Sequence, residues 1–168
     1  AVNWYRKAAE QGMAIAQTFL GNCYLNGKGV SKDYREAVKW YREAAEQGDS
    51  VAQNNLGTCY ANGWGVYKNY SKAINWYKKA AEQGNVDAQT SLGNYYYYGD
   101  RVVQNYEEAV NWYRKAAEQG SVNAYDKLGD CYYYGNGVVQ NCEEAVNWYR
   151  KAAEQGSSMA QIKLKRVL

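Results

Sequence analysis

Histidine and proline are absent from the 168 residues, phenylalanine occurs once and methionine twice. Without histidine the commonest general base and the commonest zinc ligand are both missing. Four cysteines do not make a metal site on their own, because no Cys-x-x-Cys pair occurs. Ser-x-x-Lys and Gly-x-Ser-x-Gly, which would mark a nucleophile, are also missing. No apolar run approaches the roughly 20 residues needed to cross a bilayer. A formal net charge of +3 is too small to indicate nucleic acid or an acidic membrane surface. These absences set aside catalytic, metal, cofactor, nucleic-acid and membrane roles.

What is abundant is aromatic: 19 tyrosines and 6 tryptophans. With alanine they supply most of the apolar surface, in place of a Leu/Ile/Val core. The tryptophans are periodic. Trp4, Trp40, Trp76, Trp112 and Trp148 recur every 36 residues, each followed by tyrosine. A fixed period of this size marks a repeat array. Four full units follow, at 13–48, 49–84, 85–120 and 121–156, flanked by half repeats at 1–12 and 157–168. The first half repeat is a second helix only and the last a first helix only. The array therefore reads as 1–168 of a longer protein, and the lack of a recognisable signal peptide excludes little.

Within a unit the apolar spacing is helical. Tyr34, Ala37, Val38, Tyr41, Ala44 and Ala45 fall at intervals of three and four, as do Ala16, Leu20, Cys23 and Tyr24. Between the two stripes lies a loop with paired glycines, Gly27 and Gly29. Asp33, Asn105 and Asn141 stand three residues before a glutamate, which predicts helix N-caps. Asn69 is the matching cap, a role favoured over glycosylation at Asn69-Tyr70-Ser71. Gly12, Gly48, Gly84, Gly120 and Gly156 close the second helices. Each unit is a helical hairpin too short to be stable alone. Columns of alanine (Ala16, Ala52, Ala88, Ala124, Ala160) and glycine (Gly21, Gly57, Gly93, Gly129) let helices approach, with Trp and Tyr filling the spaces between. The expected fold is all-α, a right-handed α-solenoid of stacked antiparallel hairpins.

The columns Ala52, Leu56, Gly57, Tyr60, Gly63, Gly65, Val66, Ala73, Trp76, Tyr77, Ala80, Ala81 and Gly84, with their counterparts in the other units, resemble the Sel-one-like repeat (SLR) family, relatives of the tetratricopeptide repeat. That resemblance implies an adaptor that brings proteins together. It also brings an alternative, the β-lactam binding or hydrolysis linked to some cysteine-rich relatives, for which no motif is present. Those relatives bridge their hairpins from positions that are alanine here. Arg101 replaces the second loop glycine of the third unit, which predicts an altered or strained loop.

Cys23, Cys59 and Cys131 share one column. Neighbouring helix axes roughly 8 to 10 Å apart are too distant for a bond along it. Cys142 lies across the loop from Cys131, so Cys131 and Cys142 are the one candidate disulfide, against packed free thiols. A basic row, Arg6, Arg42, Lys78, Arg114 and Arg150, is expected to be balanced by glutamates four residues on.

The repeating letters are expected to serve packing, leaving the irregular ones for a partner. Positions one residue off the first-helix stripe should line a concave surface in a solenoid of this kind. The candidates are Asn22, Asn26, Thr58 and Asn62 in the front half, and Asn94, Tyr97, Tyr98, Asp126, Asp130, Tyr133 and Tyr134 in the back half. Tyrosine offers a large surface with a hydrogen-bonding tip, and amides can pair with a peptide backbone. Trp64, alone at its loop position, is a further candidate contact. The expected function is a non-catalytic scaffold binding a protein or peptide in the concave groove. Its alternative is head-to-tail self-association through exposed terminal helices.

Overall fold

The computed structural model describes residues 2–168; Ala1, the first residue of the leading half repeat, lies outside the described residues. Ten α-helices and no strands are present among the described residues. Unit 1 spans Ala1–Asn85 and unit 2 spans Val86–Leu168. Unit 1 contains α1 (Val2–Glu10), α2 (Ala14–Asn26), α3 (Tyr34–Glu46), α4 (Ser50–Asn62) and α5 (Tyr70–Glu82). Unit 2 contains α6 (Val86–Tyr98), α7 (Tyr106–Glu118), α8 (Val122–Tyr134), α9 (Cys142–Glu154) and α10 (Ser158–Val167). Within each unit every helix packs on its neighbour in sequence, and the tightest partners are the hairpins α2/α3, α4/α5, α6/α7 and α8/α9.

The expected caps are made. Asp33 accepts from the backbone N–H of Arg35 and Glu36 at 2.8 and 3.1 Å, and Asn69, Asn105 and Asn141 accept from Lys72, Glu108 and Glu144. Each satisfies a donor that the first turn leaves unpaired, worth about 1 kcal/mol. The loop of the third repeat does not rearrange around Arg101. This residue takes φ 66°, beside 72°, 69° and 73° at Gly29, Gly65 and Gly137. The loop geometry is retained, and the left-handed strain is carried by a single arginine.

The core is built from the small-residue columns. Ala16, Ala52, Ala88, Ala124 and Ala160 are buried, and so are Leu20, Leu56, Leu92 and Leu128. Tyr41 and Tyr113 are fully enclosed. Each lies across a first-helix glycine, Tyr41 on Gly21 and Tyr113 on Gly93, as Tyr77 lies on Gly57 and Tyr149 on Gly129. A methyl group at any of these glycines would overlap the ring, so close packing of the hairpin fixes the glycine column.

Candidate functional site

The tyrosines that cross the glycines are buried, and each needs a partner for its hydroxyl. In unit 1, Tyr41 donates to Asn22 Oδ1 at 2.7 Å, and Asn55 donates to the same oxygen at 3.1 Å. Thr58 and Tyr77 share a hydrogen bond of 3.1 Å. In unit 2, Tyr113 donates to Asn94 Oδ1 and Tyr149 to Asp130 Oδ1, both at 2.8 Å. Burial raises the pKa of all four hydroxyls. Asn22, Thr58, Asn94 and Asp130 are thus half-buried acceptors that hold the hairpins closed.

Asn26 and Asn62 are exposed, with their amides folded back onto the carbonyls of Asn22 and Thr58 at 2.9 Å. In unit 2 the same repeat position holds Tyr98 and Tyr134, 58% and 63% exposed. Their predecessors are half-buried. Tyr97 accepts from Asn136 Nδ2 at 2.9 Å and packs against Tyr106 and Tyr113, and burial pushes its hydroxyl up to about 12. Tyr133 packs on the cluster around Ala145 and Tyr149. Each half-buried ring props its exposed neighbour edge to face, Tyr97 on Tyr98 at 5.0 Å and Tyr133 on Tyr134 at 4.9 Å.

Charge is concentrated beside these rings. Lys163 reaches Asp126 at 2.7 Å and Asp130 at 2.8 Å. Burial alone would lower the lysine pKa, but its hydrogen bonds to the two carboxylates outweigh that, and the net shift is upward. Asp126 Oδ1 is buried without a hydrogen-bond partner. Lys127 donates to the Tyr98 hydroxyl at 2.6 Å. Asn94, Tyr95, Tyr98 and Asp100 line an adjoining cavity of about 290 Å³.

Trp64 is half-buried and stacks on Tyr34, ring centroids 5.6 Å apart and planes 8° from parallel. Two expectations are corrected. Cys131 and Cys142 are both free thiols, Cys131 buried and Cys142 exposed, because the first turn of α9 turns Cys142 to the surface. In the basic row, Arg6, Arg42 and Arg114 donate to the hydroxyls of Tyr24, Tyr60 and Tyr132.

A glutamine ladder was missed by sequence reasoning. Buried Gln17 and Gln53 donate to the carbonyls of Ala9 and Ala45, each at 3.1 Å. Gln17, Gln53 and Gln89 in turn accept from Gln47, Gln83 and Gln119 at 2.7, 2.8 and 2.9 Å. The signal was their recurrence at fixed repeat positions, which an exposed polar residue does not require. Among the described residues no cluster of three or more His, Cys, Asp or Glu could hold a metal, and no helix is long and apolar enough to cross a membrane.

The Sel1 repeat model matches residues 1–13, 14–49, 50–85, 86–121 and 122–157. Solved structures of similar proteins include c5321, a protective antigen present in uropathogenic Escherichia coli strains and displaying an SLR fold. It is 44% identical, with a TM-score of 0.93 over 96% of this chain and 35% of its own. A Sel1 repeat protein from Oxalobacter formigenes is 40% identical, with a TM-score of 0.92 over 99% of this chain and 68% of its own. Helicobacter pylori cysteine rich protein B is 28% identical, with a TM-score of 0.60 over 80% of this chain and 97% of its own. The chain thus spans about a third of the antigen's length. No curated protein sequence matches it. The fold is an all-α solenoid. The chain belongs to the Sel1 repeat family, whose members are generally non-catalytic scaffolds that bind other proteins.

Proposed function

We propose that this scaffold holds a peptide or an extended loop of a partner protein on the first-helix face of unit 2, the side that lines the concave surface in solenoids of this type. Tyr98 and Tyr134 are the principal contacts. The observation that carries the reading is their exposure at one repeat position in consecutive hairpins, each ring held by a half-buried tyrosine beside it. A propped aromatic loses little conformational freedom on binding, and tyrosine is among the residues whose truncation weakens interfaces most. The Asp126, Asp130 and Lys163 cluster provides polar groups for a peptide backbone alongside.

The test is capture of partner proteins by the 168-residue chain and by Tyr98→Ala/Tyr134→Ala, with bound proteins identified by mass. Both side chains are largely exposed, so the double variant retains the wild-type helical circular dichroism. Partner capture falls by at least about tenfold if each ring contributes the roughly 1 kcal/mol or more of an interface hot spot. Unchanged capture removes these rings from the site, and a parallel loss of helicity makes them packing residues.

A further inference from the structure

The inter-helix loop of the second full repeat seats on the start of α3. Gly65, at φ 69°, lies against the Tyr34 carbonyl so closely that no side chain fits, and Trp64 stacks on the Tyr34 ring. Between loop and helix an open groove of about 660 Å³ remains, lined among others by Arg35, Tyr60, Tyr67, Asn69 and Lys72. Lys72 Nζ stands 5.4 Å over the Tyr60 ring, and Arg42 donates to the Tyr60 hydroxyl at 3.4 Å. Two cations therefore contact one tyrosine, and Arg35 lines the same groove. The nearby carboxylates are engaged elsewhere: Asp33 caps α3, and Glu36 faces Lys39 at 3.9 Å. Among the described residues no carboxylate pairs with Arg35 or Lys72. Tyr67, at the rim, is 97% exposed.

Unit 2 contains the same loop seat, with Gly137 against the Tyr106 carbonyl and Arg114 donating to Tyr132. Its charges are reversed. Glu107 stands at the repeat position of Arg35, Glu144 at that of Lys72, and Val139 at that of Tyr67. The hairpin geometry accepts either sign, so packing does not require the cations of unit 1.

We propose that the unit 1 groove binds an acidic, extended segment of a protein partner. Arg35 and Arg42 are seven residues apart on one face of α3, about 10 Å along the axis. In a polyproline II segment, with three residues per turn and a rise of about 3.1 Å per residue, carboxylates three residues apart lie on one side and about 9 Å from each other. The pair thus matches Glu-x-x-Glu along such an extended segment better than it matches a single anion. Lys72 supplies the third charge, and the Tyr67 ring covers the backbone between the acidic side chains. This site is independent of the tyrosine pair in unit 2.

The probe is a fluorescein-labelled peptide of about ten residues carrying Glu at every third position, compared with the same peptide carrying Gln, in about 50 mM salt where screening is weak. The Glu peptide binds wild-type chain at least about tenfold more tightly than the Gln peptide. Arg35→Glu/Lys72→Glu loses about that factor, and retains its fold because Glu already occupies both positions in unit 2. The reciprocal variant, Glu107→Arg/Glu144→Lys, gains a second binding equivalent, which keeps the proposal testable should the first variant unfold. Tyr98→Ala/Tyr134→Ala binds the Glu peptide as wild type does, so failure here and failure of the unit 2 reading are distinguishable. Equal affinity for the two peptides, unchanged binding by a folded Arg35→Glu/Lys72→Glu, or no gain in the reciprocal variant overturns the proposal. So does complete displacement by inorganic phosphate at the same anionic charge concentration, or tighter binding of polyuridylate RNA, since either assigns the groove to phosphate.

Discussion

Replacing Gly21 with alanine tests whether the glycine column exists for close approach. An added Cβ would lie 2.6 Å from Tyr41 Cε1 and 2.7 Å from its Cδ1. Carbon atoms rest at about 3.5–4.0 Å, so the overlap is about 1 Å. The ring cannot easily yield, because Tyr41 has no exposed surface and its hydroxyl is tied to Asn22 at 2.7 Å. Overpacking costs about 1–3 kcal/mol. Losing the hydroxyl bond adds about 1 kcal/mol, and the better helix propensity of alanine returns about as much. A net loss of about 1–3 kcal/mol follows, read as a lower urea midpoint by circular dichroism and by tryptophan fluorescence, since repeat arrays need not unfold in one step. At Gly57 the corresponding Cβ would be 2.9 and 3.0 Å from Tyr77, so Gly57→Ala costs less than Gly21→Ala. A Gly21→Ala chain as stable as wild type would show that propensity, not contact, governs the column. The reverse order of the two variants would show that ring distance does not set the cost.

Cys142 is exposed, whereas Cys23, Cys59 and Cys131 are buried, and burial pushes the Cys59 and Cys131 thiols up to about 12. One thiol should therefore react rapidly with a disulfide reagent under native conditions and the other three only on unfolding; two unreactive thiols in denaturant would instead indicate a bond. Alkali should destabilise the chain. The folded pKa values of these two cysteines and of Tyr41, Tyr77, Tyr97, Tyr113 and Tyr149 are raised, so above the unfolded values the folded chain binds more protons and stability falls as pH rises. The decline begins near about pH 8.5 with the thiols and steepens above about pH 10 with the phenols. A urea midpoint that does not fall between about pH 8.5 and about pH 11 would contradict it.

The hairpins, caps and small-residue columns were legible because each recurs every 36 residues and answers a local need. The candidate site was legible only in part. Asn22, Thr58, Asn94 and Asp130 vary between repeats, and that variation looks like freedom to bind a partner. The buried tyrosine beneath each one requires an acceptor, but an amide, a hydroxyl or a carboxylate serves equally, so the column can vary while remaining structural. Trp64 shows the same limit. Its uniqueness marked a difference between loops, while its ring is taken up by Tyr34, which only the fold brings beside it. Tyr98 and Tyr134 differ in that their repeat position faces outward in both hairpins, and they are the contacts proposed above.

Irregularity in a repeat array therefore has to be divided by what lies beneath each position. Where a recurring buried group is satisfied by several chemistries, substitution is cheap and carries no functional information. Where the side chain reaches solvent and the equivalent hairpins of the two units hold opposite charges, as at Arg35 and Lys72 against Glu107 and Glu144, packing does not require the choice. The same reasoning separates Tyr67 from Trp64. Trp64 is held against Tyr34, while Tyr67 is left almost wholly in water at a position where Val103 and Val139 are exposed as well, so its ring is available to the proposed acidic segment without being required by the fold.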